Sequence, residues 1–297
     1  MENYSKNNKK RVRAFPLILL LFVLLITLIL IDSNFRIVTT EYELYFSNLP
    51  DSFDGFRIVV LADVHDTEFG RDNERLISRV RDADPDIIVI AGDLLNAYFN
   101  RRPIEKQLER AIPLINGLTP IAPVFFVTGN HENSEVIGDP DALLTMLEES
   151  GVNVLRNEFT KLTSDDKTII LVGIDTSRGA EGFRWPSTLV KEIYRAESDV
   201  FLMILEHRND ILPFYSDLGV DLILSGHAHG GIIRLPFTDG VIGPDRDFLP
   251  TFTSGVYTMD DTKMLVSRGL GATAIWPRFL NNPHIAVAVL RSEEDIT

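Results

Sequence analysis

Cysteine is absent from this chain of 297 residues, which excludes disulfides, thiolate metal sites, a thiol nucleophile and lipoprotein-type acylation. Positive charge is scarce: 29 Lys and Arg stand against 43 Asp and Glu, a formal net charge of −14. A surface of that sign repels long polyanions and lacks the basic footprint of a nucleic-acid binder, so no nucleic-acid partner is expected and a phosphate-bearing ligand would need a local cationic site. Internal repeats and low-complexity tracts are missing too. Histidine is rare, with six copies, and this makes their positions informative.

Long apolar runs are confined to residues 14–31, AFPLILLLFVLLITLILI, where Thr27 is the single hydroxyl. The run approaches the roughly 20 residues that cross a bilayer core, and it is greasy all round rather than two-faced. A cleaved signal peptide would have a shorter apolar core ending at a small-x-small site. Here IDSNFRIV follows, so the run reads as an uncleaved transmembrane helix. The preceding residues 1–13, MENYSKNNKKRVR, carry five Lys or Arg against one Glu. Flanking positive charge keeps such a segment cytoplasmic. The expectation is a single-pass cell-membrane protein with its domain outside.

Residues 32–55 read as a juxtamembrane connection holding a candidate strand in YELYF. Residues 56–297 then alternate short apolar runs with amphipathic intervals, the α/β pattern of one large domain. The runs are FRIVVLA, DIIVIAG, VFFVTG, TIILVG, VFLMIL, DLILSG, KMLVSR and IAVAVL, and most read as strands buried on both faces. PDALLTMLEES, residues 140–150, predicts a helix with Asp139 as its cap and Gly151 as its stop. NERLISRVRDA predicts another. Helices near 104–117 and 209–218 are interrupted in pattern by Pro113 and Pro213, and a further helix is expected near 188–196.

The chemistry lies at the ends of the runs. VVLA leads into Asp63 and His65, IVIAG into Asp93, FFVTG into Asn130, His131 and Glu132, LMILE into His207, and LILSG into His227 and His229. Ligands bind outside the carboxyl ends of strands in open α/β sheets, so five strand ends deliver acids, an amide and imidazoles to one rim. Extended backbone would project the i and i+2 members of Asp63/His65 and His227/His229 to one side. Gly92, Gly129 and Gly226 precede these groups and allow tight turns and close approach of a phosphate.

Two carboxylates, one amide oxygen and four imidazoles besides His131 are too many for one tetrahedral ion and suit two. Asp63, His65 and His229 would hold one ion, Asn130, His207 and His227 the other, with Asp93 bridging. Mixed oxygen and nitrogen donors suit manganese, iron or zinc rather than calcium. Singly, each residue has a plain structural use, as a helix cap, a turn residue or a satisfied core histidine. Those uses do not require five of six histidines at strand ends.

The blocks DVH, GD, GNHE, a lone His after a strand, and GHAH resemble, in order and separation, the calcineurin-like metallophosphoesterase family over about residues 56–290. The resemblance implies an α/β fold of the four-layer αββα sandwich type and a dinuclear centre on the residues above. It also implies a hydroxide between two divalent ions as nucleophile, and His131 as the group that protonates the leaving alkoxide or stabilises the transition state. The chain is most similar to a membrane-associated bacterial branch with GHTHGGQ and SRGLG. Here the first reads GHAHGGI, with Ile232 in place of Gln, while SRGLG stands at 267–271. His284 stands where that branch often has Glu, and RND after His207 lacks the branch's Pro. His284 and Glu132 read as structural or supporting. Arg268 and Arg278 could clamp a phosphate, with a surface or structural ion pair as the plainer role.

The expected activity is hydrolysis of a phosphate ester, lipid- or envelope-linked. A general or nucleotide phosphodiesterase and a non-catalytic, membrane-tethered metal-binding module are the alternatives.

Overall fold

The computed structural model describes residues 2–97, 103–134, 140–175, 184–244, 246–271 and 276–293. It opens with α1 (Glu2–Phe35), within which Phe15–Phe35 has a mean hydropathy of 2.9, most of its apolar side chains exposed while Asp32, Ser33 and Asn34 at its end bond the domain. Then come β1 (Val38–Phe46), β2 (Arg57–Leu61), α2 (Glu74–Asp82), β3 (Ile87–Ala91), α3 (Ile104–Leu118), β4 (Val124–Val127), α4 (Pro140–Glu149) and β5 (Val152–Val154). The second half holds β6 (Glu158–Ser164), β7 (Lys167–Ile174), α5 (Arg184–Ala196), β8 (Phe201–Glu206), α6 (Leu212–Ser216) and β9 (Leu222–Ser225). It ends with β10 (Gly255–Met259), β11 (Thr262–Val266) and β12 (His284–Ser292).

Two six-stranded sheets result, ordered β1-β12-β2-β3-β4-β5 and β10-β11-β9-β8-β7-β6. Alternation along each strand divides its residues between two faces. Ile58, Val60 and Val89 point between the sheets onto Leu171, Met203, Leu205 and Leu224. Their neighbours Val59, Leu61, Ile88 and Ile90 point outward onto Leu76 and Val80 of α2, Leu114 and Leu118 of α3, and Leu143 and Leu147 of α4. On the other outer face Ile170, Val172, Leu202 and Ile204 meet Val190 and Ile193 of α5 and Leu212 and Tyr215 of α6. Both faces of both sheets are therefore covered, which is why the strands read as continuous apolar runs. This is the four-layer αββα sandwich anticipated from the motifs.

Several local expectations change. Residues 32–55 are more than a connection, because β1 pairs along its whole length, in parallel, with β12, and Leu44, Phe46, Leu49 and Phe53 are buried between the sheets. α3 runs through Pro113 unbroken, since the burial of Ala111, Leu114, Ile115 and Leu118 offsets the missing backbone donor. The helix expected at 209–218 shrinks to the five residues of α6, with Pro213 in its first turn. β6 and β10, absent from the apolar runs, are edge strands with one half-exposed face, so their apolar residues are interrupted by threonine, tyrosine or charged ones. The expected cap Asp139 lies outside the described residues.

Candidate metal centre

β2, β3 and β4 are parallel neighbours in the first sheet, and β8 and β9 in the second. Their carboxyl ends meet at one rim, where Asp63, His65, Asp93, His131, His207, His227 and His229 are all buried. The convergence does not come from extended backbone. Asp63, His65, Asp93, His227 and His229 all have φ between 48° and 65°, a left-handed conformation that Asp and His tolerate better than branched residues do. The i, i+2 pairs are thus aimed by sharp turns rather than by strand pleat. Such residues cost about 1–3 kcal/mol each unless their surroundings hold them.

The surroundings do hold them. Glu132 is fully buried, and its carboxylate accepts the peptide N–H groups of Asp93 at 2.9 Å, Leu95 at 3.0 Å and Gly129 at 2.8 Å. It ties the β3 end to the β4 end. Gly129 has no room for a side chain, since a Cβ there would lie 2.1 Å from Asp93 Oδ1. At Gly92 a Cβ would sit 2.7 Å from the Gly129 backbone. These glycines therefore let the strand ends and ligand-type side chains close on one another, a requirement separate from any approach by phosphate.

Asp63, His65 and His229 form one group of converging donor atoms, Asp93, His207 and His227 a second, and His65, Asp93 and His131 a third, each within 4.8 Å. His65 Nδ1 donates to the Leu95 carbonyl at 3.3 Å, which turns its Nε2 lone pair toward His229 Nε2 at 3.0 Å. His207 Nδ1 donates to the Ala91 carbonyl at 2.8 Å. Its Nε2 faces Asn130 Oδ1 and His227 Nδ1, each at 3.0 Å. Between these clusters Asp93 Oδ2 stands 3.3 Å from His207 Nε2 and 3.7 Å from His65 Nε2. Asp63 Oδ1 lies 3.5 Å from His229 Nε2, and the Asp63 carboxylate also accepts the His227 peptide N–H. Nitrogen lone pairs and carboxylate oxygens pointing at one another in a buried space repel unless a cation stands among them. By that test the donor set fits divalent ions.

Protonation follows from the same crowding. Burial raises the Asp63 carboxyl to about 7 and lowers His65 to about 3. Burial opposes charge on His207 also, but the Asp93 carboxylate overcomes it and lifts His207 to about 10. Asp93 is held well below the usual carboxylate range because the nearby imidazoles, His207 foremost, outweigh its own burial. In the metal-free chain a proton on His207 thus occupies the role of a cation.

His131 sits on the same rim, its peptide N–H donating to Asp93 Oδ1 at 2.9 Å. Its Nδ1 accepts the Ala97 N–H at 2.9 Å, so the proton of the neutral ring resides on Nε2, 3.8 Å from Asp93 Oδ2. Two further residues support the cluster, and of these Asn281 had no local sequence signal. Asn281 Nδ2 donates to the carbonyls of His229 at 2.7 Å and Ile232 at 3.1 Å. Arg278 is buried, its guanidinium donating to the Gly271 and Arg268 carbonyls, with Nη2 3.5 Å from His229 Nδ1. In place of the surface or structural ion pair expected for Arg278, its guanidinium bonds backbone carbonyls and forms a brace behind the His229 turn. His284 is buried at the start of β12, edge-on to Tyr42, and belongs to none of the three donor groups.

The Calcineurin-like phosphoesterase family model matches residues 56–231. The Bacillus subtilis (strain 168) metallophosphoesterase YkuE, itself uncharacterized, is 32% identical over 260 residues, covering 86% of each chain. A Danio rerio transmembrane protein with a metallophosphoesterase domain is 27% identical, covering 84% of this chain and 56% of that one. The phosphodiesterase YaeI of Escherichia coli (strain K12) is 26% identical, covering 73% of this chain and 76% of that one. The matched range spans the segments that carry this rim of donors, and the chain belongs to the calcineurin-like phosphoesterase family of hydrolases acting on phosphoric ester bonds.

Proposed function

We propose that the chain is a membrane-anchored, metal-dependent phosphoesterase acting on a lipid- or envelope-linked phosphate ester at a dinuclear centre. The observation that carries the metal reading is the overlap of the three donor groups, which share His65 and Asp93. Asp63, His65 and His229 would hold one ion, Asn130, His207 and His227 the other, with Asp93 between; manganese, iron and zinc suit this mixture. When bound, such ions supply Lewis-acid polarisation of phosphoryl oxygens and an activated water.

The protein's own contribution is orientation and proton transfer. Hydrogen bonds from His65 and His207 to backbone carbonyls place the Nδ1 protons, so that Nε2 of His65, and of His207 once a cation displaces its second proton, presents a lone pair. The Nε2–H of His131 is the hydrogen-bond donor it would offer the departing oxygen, because Ala97 occupies the other nitrogen.

The anchoring reading rests on α1 and on the basic residues before its apolar run, which also favour a cytoplasmic N-terminus and an extracytoplasmic domain. The domain division follows: a basic segment 1–13, a membrane helix 14–31, and a catalytic unit that takes in β1. Lipid linkage is supported by the short path from α1 to the centre, since Arg278 bonds Asn34 through its backbone and backs His229 with its side chain.

The test uses the full chain in detergent, stripped by chelation and reloaded with each metal, assayed on phospholipid-linked phosphates, cyclic nucleotides and aryl mono- and diesters. Metal-dependent turnover with preference for the lipid-linked esters is expected. Full activity after stripping overturns the metal reading, and preference for cyclic nucleotides overturns the substrate class. A periplasm-type reporter fused after residue 297 checks the orientation.

A further inference from the structure

Outside α1, large apolar side chains left in solvent are few and unevenly placed. Among the described residues after Phe35, nine are exposed, and six of them fall in two loops: Leu235, Phe237, Phe248 and Leu249 in one, Trp276 and Leu280 in the other. Phe237 and Phe248 are the most extreme, at 107% and 75% exposure. A cluster of this kind marks a contact surface more often than a bare face.

The two loops are stitched together and to the end of α1. The Leu280 peptide N–H donates to Ser33 Oγ at 2.9 Å, and Asn282 Nδ2 to the Asp32 carbonyl at 2.7 Å. Next to Leu280, the Phe279 carbonyl accepts from Arg234 N–H at 3.0 Å. Val241 N–H donates to the Ile233 carbonyl at 2.8 Å, and Leu249 N–H to the Val241 carbonyl at 3.0 Å. Phe237 is three residues from Arg234, a reach of at most about 11 Å. Beside the same helix end, Arg36, Arg75 and Arg79 line a groove, and Arg75 donates to the Phe35 carbonyl at 2.8 Å. Aromatic and aliphatic tips on loops bonded to the exit of an apolar helix, with arginines lining a groove at that same exit, match in polarity the boundary between the acyl chains and the headgroups of a phospholipid bilayer.

We propose that loops 235–249 and 276–280 form a second membrane contact, seating the domain on the phospholipid surface with Phe237 and Phe248 inserted beside α1. This rests on the reading of α1 as a membrane helix. It goes beyond tethering, because it adds a contact made by the domain itself, which holds against the surface the side of the domain that carries the Arg278 brace.

The lack of cysteine makes a direct test practical. Single nitroxide labels are placed through Leu24→Cys, Phe237→Cys, Phe248→Cys and Ser198→Cys in the full chain, reconstituted in phosphatidylcholine–phosphatidylglycerol vesicles. Accessibility to oxygen and to an aqueous nickel complex is compared. The expected result is an oxygen-to-nickel ratio at 237 and 248 several-fold above that at the exposed Ser198 position, approaching that at Leu24. Leu24 in lipid with 237 and 248 as nickel-accessible as 198 overturns the proposal and leaves the anchor reading intact. Leu24 in water with 237 and 248 shielded overturns the anchor and keeps the contact surface. Spin–spin broadening at 237 between copies assigns the face to self-association and overturns it.

Discussion

Asn34 and Arg278 grip each other across 244 residues of sequence: the Asn34 amide donates to the Arg278 carbonyl at 2.9 Å, and the Arg278 peptide N–H donates back to Asn34 Oδ1 at 3.1 Å. The last turn of the apolar helix is thereby fastened to the residue whose guanidinium stands behind His229. Helix exit and donor cluster are one connected structure. Asn34→Ala should remove both bonds, lowering stability by about 1–2 kcal/mol and weakening metal binding by up to about 10-fold through the loosened His229 turn. Thermal unfolding and metal titration of the detergent-solubilised chain check both numbers.

Asp93 serves two of the three donor groups directly, while Glu132 touches only backbone. Asp93→Asn should therefore lower metal occupancy and hydrolysis by more than about 100-fold, whereas Glu132→Gln should fall in the 10–100-fold range of a supporting residue. Elemental analysis after gel filtration, alongside turnover, separates them. Equal effects would contradict the bridging role of Asp93.

His131→Gln should reduce turnover by about 10²–10⁴-fold on alkyl phosphate esters, with KM little changed. The loss should shrink for aryl esters, whose phenolate leaves without a proton. Rates plotted against leaving-group pKa give the answer; a uniform loss would assign His131 to charge stabilisation instead.

Metal affinity should rise from pH 6 to pH 8. Asp63, raised to about 7 by burial, and His207, raised to about 10 by Asp93, both hold protons that a cation must displace. Calorimetry in buffers of different ionisation enthalpy should register proton release on binding, larger at the lower pH.

Glu206 makes a stability prediction. Burial raises it from 4.5 to about 7, and the Tyr215 hydroxyl donates to its Oε2 at 2.6 Å. A raised carboxyl contributes stability below the unfolded value that is lost as pH rises through the folded one. Between pH 4.5 and 7 the chain should lose about 3 kcal/mol that Glu206→Gln does not lose. Denaturant titrations of the two metal-free proteins at pH 4.5 and 8 measure the difference.

Much of this molecule was readable before any coordinates. Runs such as IVVL and IIVI are buried on both faces, and a doubly covered strand leaves little room for polar residues. The same geometry made the donors visible, because each follows its run directly. What escaped was polar or remote. β6 and β10 sit at sheet edges where one face meets water, so their apolar signal is diluted. The YELYF strand was legible, but not that β1 completes the first sheet, because its partner, β12, lies more than 200 residues further on.

Apolar runs with histidines and carboxylates behind them determined by themselves an α/β fold with a divalent-ion type of donor set, since residue chemistry and strand periodicity are local properties, and the order of the motifs carried the resemblance to calcineurin-like hydrolases. Only the tertiary structure decided how those donors are aimed: by left-handed turns, by Glu132 binding three peptide N–H groups, and by Arg278 and Asn281 behind His229. It alone joined the helix exit to the centre and gathered the exposed aromatics of two distant loops. Hydrogen bonds between segments hundreds of residues apart leave no periodic trace in sequence, because their geometry exists only once the two sheets have packed.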